Sequence, residues 1–401
     1  MRPIITHFTD DDLYKFTMCC AVVDNFPRAE VRYTFTDRNN MVFPVGFAKA
    51  MREQIDSLAD VVMTQEEARF MKRACPYIPH WLYDYLRGFR YNPRQVIITQ
   101  DASGHLQIGF EGPWCQTILL EVKTLAIVSG LYYRMMGLEP LVDLGKVRLG
   151  ACDKGRKLLE GGCVFSEFGT RRRASLIVQD TVVEAFTDVS HSSDEWLGRF
   201  AGTSNIYLAM KYNLTPIGTM AHELICAIAG MYGPVMANKL AMQAWARTYQ
   251  GALGTFLYDT YGWHIFSLNF TEDYANLFRG LRVDSGNNRE QLDKIIAKYR
   301  SLGIDPRYKQ VVFSNALTTD SAIALQHYAE GRCLPSYGIG THFTNDIEGL
   351  HPLNIVIKLT SVKPEASWPF WCDTCKLSSD PGKHSGNPDV VARFEGALHI
   401  R

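Results

Sequence analysis

Leu281-Arg282-Val283-Asp284-Ser285-Gly286-Asn287 is an apolar run of strand length that ends in a polar, glycine-containing cluster. The same form recurs in Val164-Phe-Ser-Glu-Phe168-Gly-Thr-Arg171, Phe200-Ala-Gly-Thr203-Ser204-Asn205, Pro216-Ile-Gly-Thr-Met-Ala-His222-Glu223, Thr255-Phe-Leu-Tyr-Asp-Thr260, Val311-Val-Phe-Ser-Asn315 and Ser336-Tyr-Gly338-Ile-Gly340-Thr341. A helical stretch usually follows. Short buried strands alternating with helices between Gly150 and Thr344 predict a parallel α/β barrel, although a doubly wound open sheet has a similar pattern. In both architectures the ligand lies beyond the carboxyl ends of the strands, which is where these clusters fall.

Outside this stretch the texture changes. On the N-terminal side a helical pattern over Asp11 to Val22 leads into Val31-Arg-Tyr-Thr-Phe-Thr36, whose alternation marks a half-buried strand. Helical periodicity follows over Phe47 to Val62 and Gln65 to Arg73. A strand pair is expected over Gln95 to Thr99 and His105 to Phe110, and a long buried helix over Thr117 to Tyr133. On the C-terminal side Pro352-Leu-Asn-Ile-Val-Ile-Lys358-Leu alternates like a strand; the aromatic segment Trp368 to Cys375, the turn Ser379-Asp-Pro-Gly382 and a short helix complete the chain. Strands placed after a barrel return most simply to the N-terminal layer. The expected organisation is an α+β domain over 1–135, the barrel over 136–345, and a segment over 346–401 that rejoins the first domain.

Composition excludes several partners. The 401 residues carry 42 Lys+Arg and 42 Asp+Glu with no long basic run, so duplex nucleic acid and anionic membrane surfaces are not expected ligands. At 46% hydrophobic residues the chain has material for a core and does not read as disordered. The longest stretch without a charged residue, Leu224 to Asn238, is broken by Gly230, Gly233 and Pro234 and falls short of the roughly 18 apolar residues a membrane span needs. Asp10-Asp11-Asp12, with no apolar segment before it, argues against a signal peptide, so the cysteines are expected as reduced thiols of a cytoplasmic protein. Cys372-x-x-Cys375 has the spacing of half a zinc site, but only His384 stands near as a further ligand, and no metal ligands are assigned.

The polar clusters narrow the chemistry. No Walker A loop is present, Gly338-Ile-Gly340 lacks the third glycine of a dinucleotide fingerprint, and His222-Glu223 is followed by Cys226 where a zincin has its second histidine. Arg171-Arg172-Arg173 beside Phe168 offers planar bidentate donors for phosphate or carboxylate, or else a solvated helix start. Gly338, Gly340 and Thr341 suit a phosphate loop or an ordinary turn. Arg282 and Asp284 share one face of their strand and could hold an anion and a pair of ribose hydroxyls, or pair with each other. His222 could be a nucleophile or base, or structural. These residues together point to a phosphate-bearing substrate and no further.

In combination the motifs carry a resemblance that single ones do not. Asp12-Leu-Tyr14-Lys15, Phe168-Gly-Thr-Arg-Arg-Arg173, Gly202-Thr203-Ser204-Asn205, Pro216-Ile-Gly-Thr-Met-Ala-His222-Glu223, Leu281-Arg-Val-Asp-Ser-Gly286, Ser336-Tyr-Gly-Ile-Gly-Thr341, Pro352-Leu-Asn-Ile-Val-Ile-Lys358-Leu and Lys376-Leu-Ser-Ser-Asp-Pro-Gly-Lys383 stand in one order along the chain. Over nearly its whole length the chain resembles the bacterial nicotinate phosphoribosyltransferases. The resemblance implies a type II phosphoribosyltransferase fold, an irregular α/β barrel with a discontinuous α+β domain. It implies transfer of a 5-phosphoribosyl group from phosphoribosyl pyrophosphate to nicotinate in NAD salvage, coupled to ATP hydrolysis, with Mg²⁺ and a homodimer with a shared active site.

Roles carry over position by position. The resemblance implies that Phe168 stacks on one face of the pyridine ring, and that Tyr14 of the other subunit covers the opposite face. It places Arg282 near the pyridine carboxylate, Asp284 on the ribose hydroxyls, Arg171 on phosphate, and Gly338, Gly340 and Thr341 on the 5-phosphate. Lys358 and Lys383 would add charge for pyrophosphate or ATP, and His222 would accept phosphate from ATP. Thr203 and Ser204 are expected at the substrate. Nicotinamide-using relatives have Asp at the Ser204 position, and a hydroxyl donates to a carboxylate that Asp would repel. The alternative, a nicotinamide phosphoribosyltransferase, is disfavoured on that ground; a quinolinate-type enzyme is disfavoured by length and by His222, and a phosphate-binding regulator by the complete set of motifs. Asn315 stands where many relatives have an acidic residue, so a ribose or magnesium contact there loses a charge. The segment from Val362 to Cys375 is longer and more aromatic than the resemblance implies.

Overall fold

The computed structural model describes residues 1–378 and 386–400. The turn Ser379-Asp-Pro-Gly382, Lys383 and His384 lie outside the described residues. The strands in chain order are β1 (Glu30–Asp37), β2 (Val96–Gln100), β3 (Leu106–Pro113), β4 (Val164–Glu167), β5 (Arg199–Thr203), β6 (Thr255–Leu257), β7 (Gly280–Val283), β8 (Gln310–Phe313), β9 (Leu334–Ile339), β10 (Ile355–Lys363) and β11 (Cys372–Asp373).

They form two sheets of opposite character. One is parallel, in the order β5-β4-β9-β8-β7-β6, with helices between successive strands. Its strands are short and largely buried because helices cover them, as parallel sheets require. The run beginning at Pro216 makes a single parallel bridge to Thr203 beside β5 and no strand. Proline has no N–H for a ladder, and the chain then turns so closely over the N-terminal helix Leu13–Asn25 that a Cβ on Gly218 would lie 2.9 Å from the Tyr14 nitrogen. No ladder joins the Pro216 run to β6 among the described residues. Side chains cross that gap instead, with His222 Nδ1 3.0 Å from Thr260 Oγ1. This is the irregularity of the barrel.

The other sheet is antiparallel, in the order β11-β10-β1-β3-β2. Val31, Tyr33 and Phe35 of β1 are buried, with more exposed residues between them, which is the alternation of a sheet covered on one face. β10, from the far end of the chain, pairs with β1 in the register Thr34↔Lys358 and Phe35↔Ile357. The sheet is thus built from both ends of the sequence.

The helical stretch Trp114–Met135 is long and apolar enough to cross a membrane, but its most apolar window is 89% buried in the protein; it is the central core helix. The helix His80–Gly88 is absent from the sequence reading. Its three buried side chains, Leu82, Tyr83 and Leu86, are too few to establish a period. It docks through the Tyr83 hydroxyl, which donates to the carbonyls of Met71 and Cys75. All ten cysteines are free thiols.

Candidate active site

A cavity of about 720 Å³ opens at the carboxyl ends of the parallel strands and is roofed by β10 and the start of the N-terminal helix. Its walls include Tyr14, Phe168, Arg171, His222, Arg282, Asp284, Asn315, Gly338, Gly340, Thr341 and Lys358, residues that the sequence analysis had singled out. Four helices, the barrel strands and the returning β10 bring together positions more than 300 residues apart.

Each wall has a local cause. Leu281 and Val283 of β7 are buried while Arg282 between them is half-buried, so Arg282 and Asp284 face the cavity together. Arg282 donates from Nε to Ser314 Oγ at 3.0 Å and lies 3.4 Å from Asp284 Oδ1, which also accepts from Ser314 at 2.8 Å. Burial would raise the Asp284 carboxyl, but Arg282 and His222 more than reverse this and hold it well below the usual carboxylate range. Phe168 follows β4, and its ring lies against Gly338 in β9, where a Cβ would overlap it. Gly338 therefore admits an aromatic ring from within a strand. His222 is the first residue of the helix His222–Tyr232, whose N-terminus has no side-chain cap, and Met220 to Glu223 line the cavity. Burial and then the Lys376 ammonium push the His222 pKa down to about 4. The imidazole is neutral at pH 7.

The cations form a dense group. Arg38, Arg171, Arg172, Arg282, Lys358 and Lys376 all line the cavity. Burial, followed by Lys376, pushes Lys358 down to about 8, and burial with Arg171 and Arg38 pushes Arg172 down to about 10. Positive groups that lower one another's pKa are short of counter-charge, which is what a polyanionic ligand would supply. Behind this wall Lys15 is fully buried between Glu121 and Glu223, 3.0 Å from the latter, and Glu121 also lies 3.7 Å from Arg171.

Several expectations are corrected. Arg173 does not face a ligand: it is buried and clamps Asp10 through two bonds of 2.6 and 2.7 Å. Thr203 and Ser204 stand behind the cavity wall, where the Thr203 hydroxyl donates to Glu167 and the Ser204 hydroxyl donates to Asp12 at 2.7 Å. Each hydroxyl has one proton, and both are engaged inside the protein. Tyr14 lines the cavity of its own chain. Asn315 lines the cavity, and its amide donates to the Gly286 carbonyl at 3.0 Å. Lys383 lies outside the described residues.

Sequence reasoning missed Lys376, Asp259, Thr260 and Ser314. In the sequence Lys376 is only the first residue of Lys376-Leu-Ser-Ser-Asp-Pro-Gly-Lys383. Its ammonium is 2.9 Å from His222 Nε2 and 3.4 Å from Asp259 Oδ2. The donor atoms of His222, Asp259 and Asp284 lie within 4.8 Å of one another. Magnesium prefers a near-octahedral set of oxygens and retains water. An imidazole and two carboxylates with a buried ammonium already among them do not fit a protein-held magnesium ion.

Comparison with known proteins agrees with this geometry. The sequence model of the Nicotinate phosphoribosyltransferase (NAPRTase) family matches residues 163–370, and that of the NAPRTase N-terminal domain matches residues 9–129. The nicotinate phosphoribosyltransferase of Chromohalobacter salexigens is 40% identical over 395 residues, covering 98% of this chain and 97% of that protein. The crystal structure of the Porphyromonas gingivalis nicotinate phosphoribosyltransferase superposes with a TM-score of 0.94 at 40% identity, covering 99% of this chain and 100% of that one. That of the Vibrio cholerae nicotinate phosphoribosyltransferase gives 0.89 at 30% identity, covering 100% and 95%. With both family segments matched, full-length relatives and the same fold, the chain belongs to the nicotinate phosphoribosyltransferase family.

Proposed function

We propose that this protein transfers the 5-phosphoribosyl group of phosphoribosyl pyrophosphate to nicotinate, forming nicotinate mononucleotide and pyrophosphate, with ATP hydrolysis coupled through phosphorylation of His222. The observation that carries this reading is one cavity that combines two aromatic side chains, Tyr14 and Phe168, with six cationic ones. A flat aromatic acid and a polyphosphate sugar need those two kinds of wall together.

The mechanism follows from charge. Breaking the bond from ribose C1 to pyrophosphate builds positive charge on the sugar and negative charge on the leaving group. Arg171, Arg172 and Lys358 would stabilise the latter, and Asp284, ionised and next to Arg282, would hold the ribose hydroxyls and face the positive charge. The nicotinate ring nitrogen is unprotonated near neutral pH and needs no base. Magnesium belongs, in this reading, to the polyphosphate substrates, and no step is derived through it. Preference for the acid over the amide rests on the cations of the cavity and not on the Ser204 hydroxyl, which is bonded to Asp12. A homodimer with a shared active site belongs to this reading; Tyr14 also lines the cavity of its own chain. A cytoplasmic location, where thiols stay reduced and these substrates occur, fits ten free cysteines.

The test is purified protein with phosphoribosyl pyrophosphate and Mg²⁺, supplied with nicotinate or nicotinamide, with and without ATP. Nicotinate mononucleotide is the expected product, its formation increased by ATP, with little product from the amide. Absence of nicotinate mononucleotide defeats the proposal.

A further inference from the structure

Four groups surround the imidazole of His222, and they do not all agree on where its proton is. Nδ1 is 3.0 Å from the Thr260 hydroxyl, which can donate or accept. Nε2 is 3.0 Å from Asp284 Oδ2, a contact that calls for a proton on Nε2, while Asp259 Oδ1, 3.8 Å away, adds only negative charge nearby. Lys376 Nζ lies 2.9 Å from the same Nε2, and an ammonium, which only donates, calls for a lone pair there. A neutral imidazole carries one proton, so Lys376 and Asp284 favour opposite tautomers, and Thr260 adapts to either.

We propose that Lys376 is a catalytic residue that selects Nε2 of His222 as the phosphoryl acceptor and then holds the transferred group. This rests on the phosphohistidine reading above and deepens it. Two features favour Lys376 over Asp284 when substrates are bound. Asp284 faces the open cavity and is the group proposed to receive ribose hydroxyls, whose donated bonds replace its interaction with Nε2. Lys376 is itself nearly buried and anchored 3.4 Å from Asp259 Oδ2, a carboxylate held in turn by Ser285 at 2.6 Å, so it stays in place.

In the step itself the Nε2 lone pair attacks the γ-phosphorus of ATP. The N–P bond forms as the bond from that phosphorus to the β,γ-bridging oxygen breaks, and ADP leaves with the electron pair. Nδ1 keeps its proton, donated to Thr260 Oγ1. An ammonium that sat 2.9 Å from Nε2 is within a short side-chain movement of the oxygens of a phosphoryl group on that nitrogen, so one cation serves both states. Attack of water on the phosphorus later releases phosphate, and Nε2 recovers its lone pair and its contact with Lys376.

The experiment incubates the full-length protein and its Lys376→Ala variant with γ-labelled ATP and Mg²⁺, and assigns the phosphohistidine isomer by ³¹P NMR and alkaline digestion. Wild-type label on Nε2 is expected. Lys376→Ala is expected to lose about 100-fold in labelling rate, the scale of removing one charged donor from a transition state, and added ethylamine to restore part of it by supplying an ammonium in the vacated space. That rescue separates loss of charge from loss of fold, since a misfolded variant gains nothing from an amine. Label on Nδ1, or labelling of Lys376→Ala close to the wild-type rate, overturns the role of Lys376 while leaving the phosphohistidine intact. Wild-type protein that makes nicotinate mononucleotide but takes no label overturns both.

Discussion

Three consecutive arginines end in three different environments. Arg171 lines the cavity near Glu121, Arg172 donates from Nε to the Ile355 carbonyl, and Arg173 is buried against Asp10. The single turn Thr170–Arg172 fans them apart, and nothing in their identity distinguishes them beforehand. Arg173 thus belongs to stability. Its removal leaves the Asp10 carboxylate buried with Asn205 as its remaining side-chain hydrogen-bond donor. Arg173→Met is expected to cost about 3–5 kcal/mol, the usual penalty for orphaning a buried charge, measurable as a lowered urea midpoint. In contrast, Arg171→Met is expected to leave that midpoint nearly unchanged and to weaken phosphoribosyl pyrophosphate binding.

At the scale of elements, the decisive contacts are close approaches that side-chain patterns do not reveal. Gly338 reads by sequence as part of a phosphate loop or an ordinary turn; in the fold it pairs with Ser166 in the parallel ladder, and its missing Cβ is the space in which the Phe168 ring lies. Gly338→Ala is therefore expected to displace that ring and raise KM for nicotinate by about tenfold, roughly 1.4 kcal/mol of binding, with a smaller change in kcat; steady-state kinetics on nicotinate checks the split. β10 works the other way: its alternation was legible in Pro352 to Leu359, and pairing with β1 turns that alternation into a placement, with Val356 and Lys358 on one face and both at the cavity. The short helix His80–Gly88 and the broken strand at Pro216 mark where pattern reading stops, because few residues and a missing N–H leave no period to detect.

Over the whole molecule the charges cancel, 42 against 42, while the cavity concentrates cations. Lys358 reports this directly. Its folded pKa of about 8 is below its ordinary value, so between about pH 8 and 10.5 the unfolded chain binds a proton that the folded one does not, and stability from this group rises with pH across that window. A bound polyphosphate reverses the repulsion and raises the pKa again. Calorimetry of phosphoribosyl pyrophosphate binding at pH 8.5 in buffers of different ionisation enthalpy is expected to show proton uptake, and Lys358→Met to abolish it. The sequence by itself determined a parallel α/β layer with its polar clusters at the strand ends, the return of the last strands to the first sheet, and the placing of Phe168, His222, Arg282 and Asp284 at those ends. Those follow from periodicity and from motifs local enough to be read along the chain. Tertiary structure alone decided that Arg173, Thr203 and Ser204 face inward, and that Lys376 meets His222 across 154 residues. The physical reason is that a side chain's partner is fixed by how layers pack and where a turn points it, and a linear pattern carries neither.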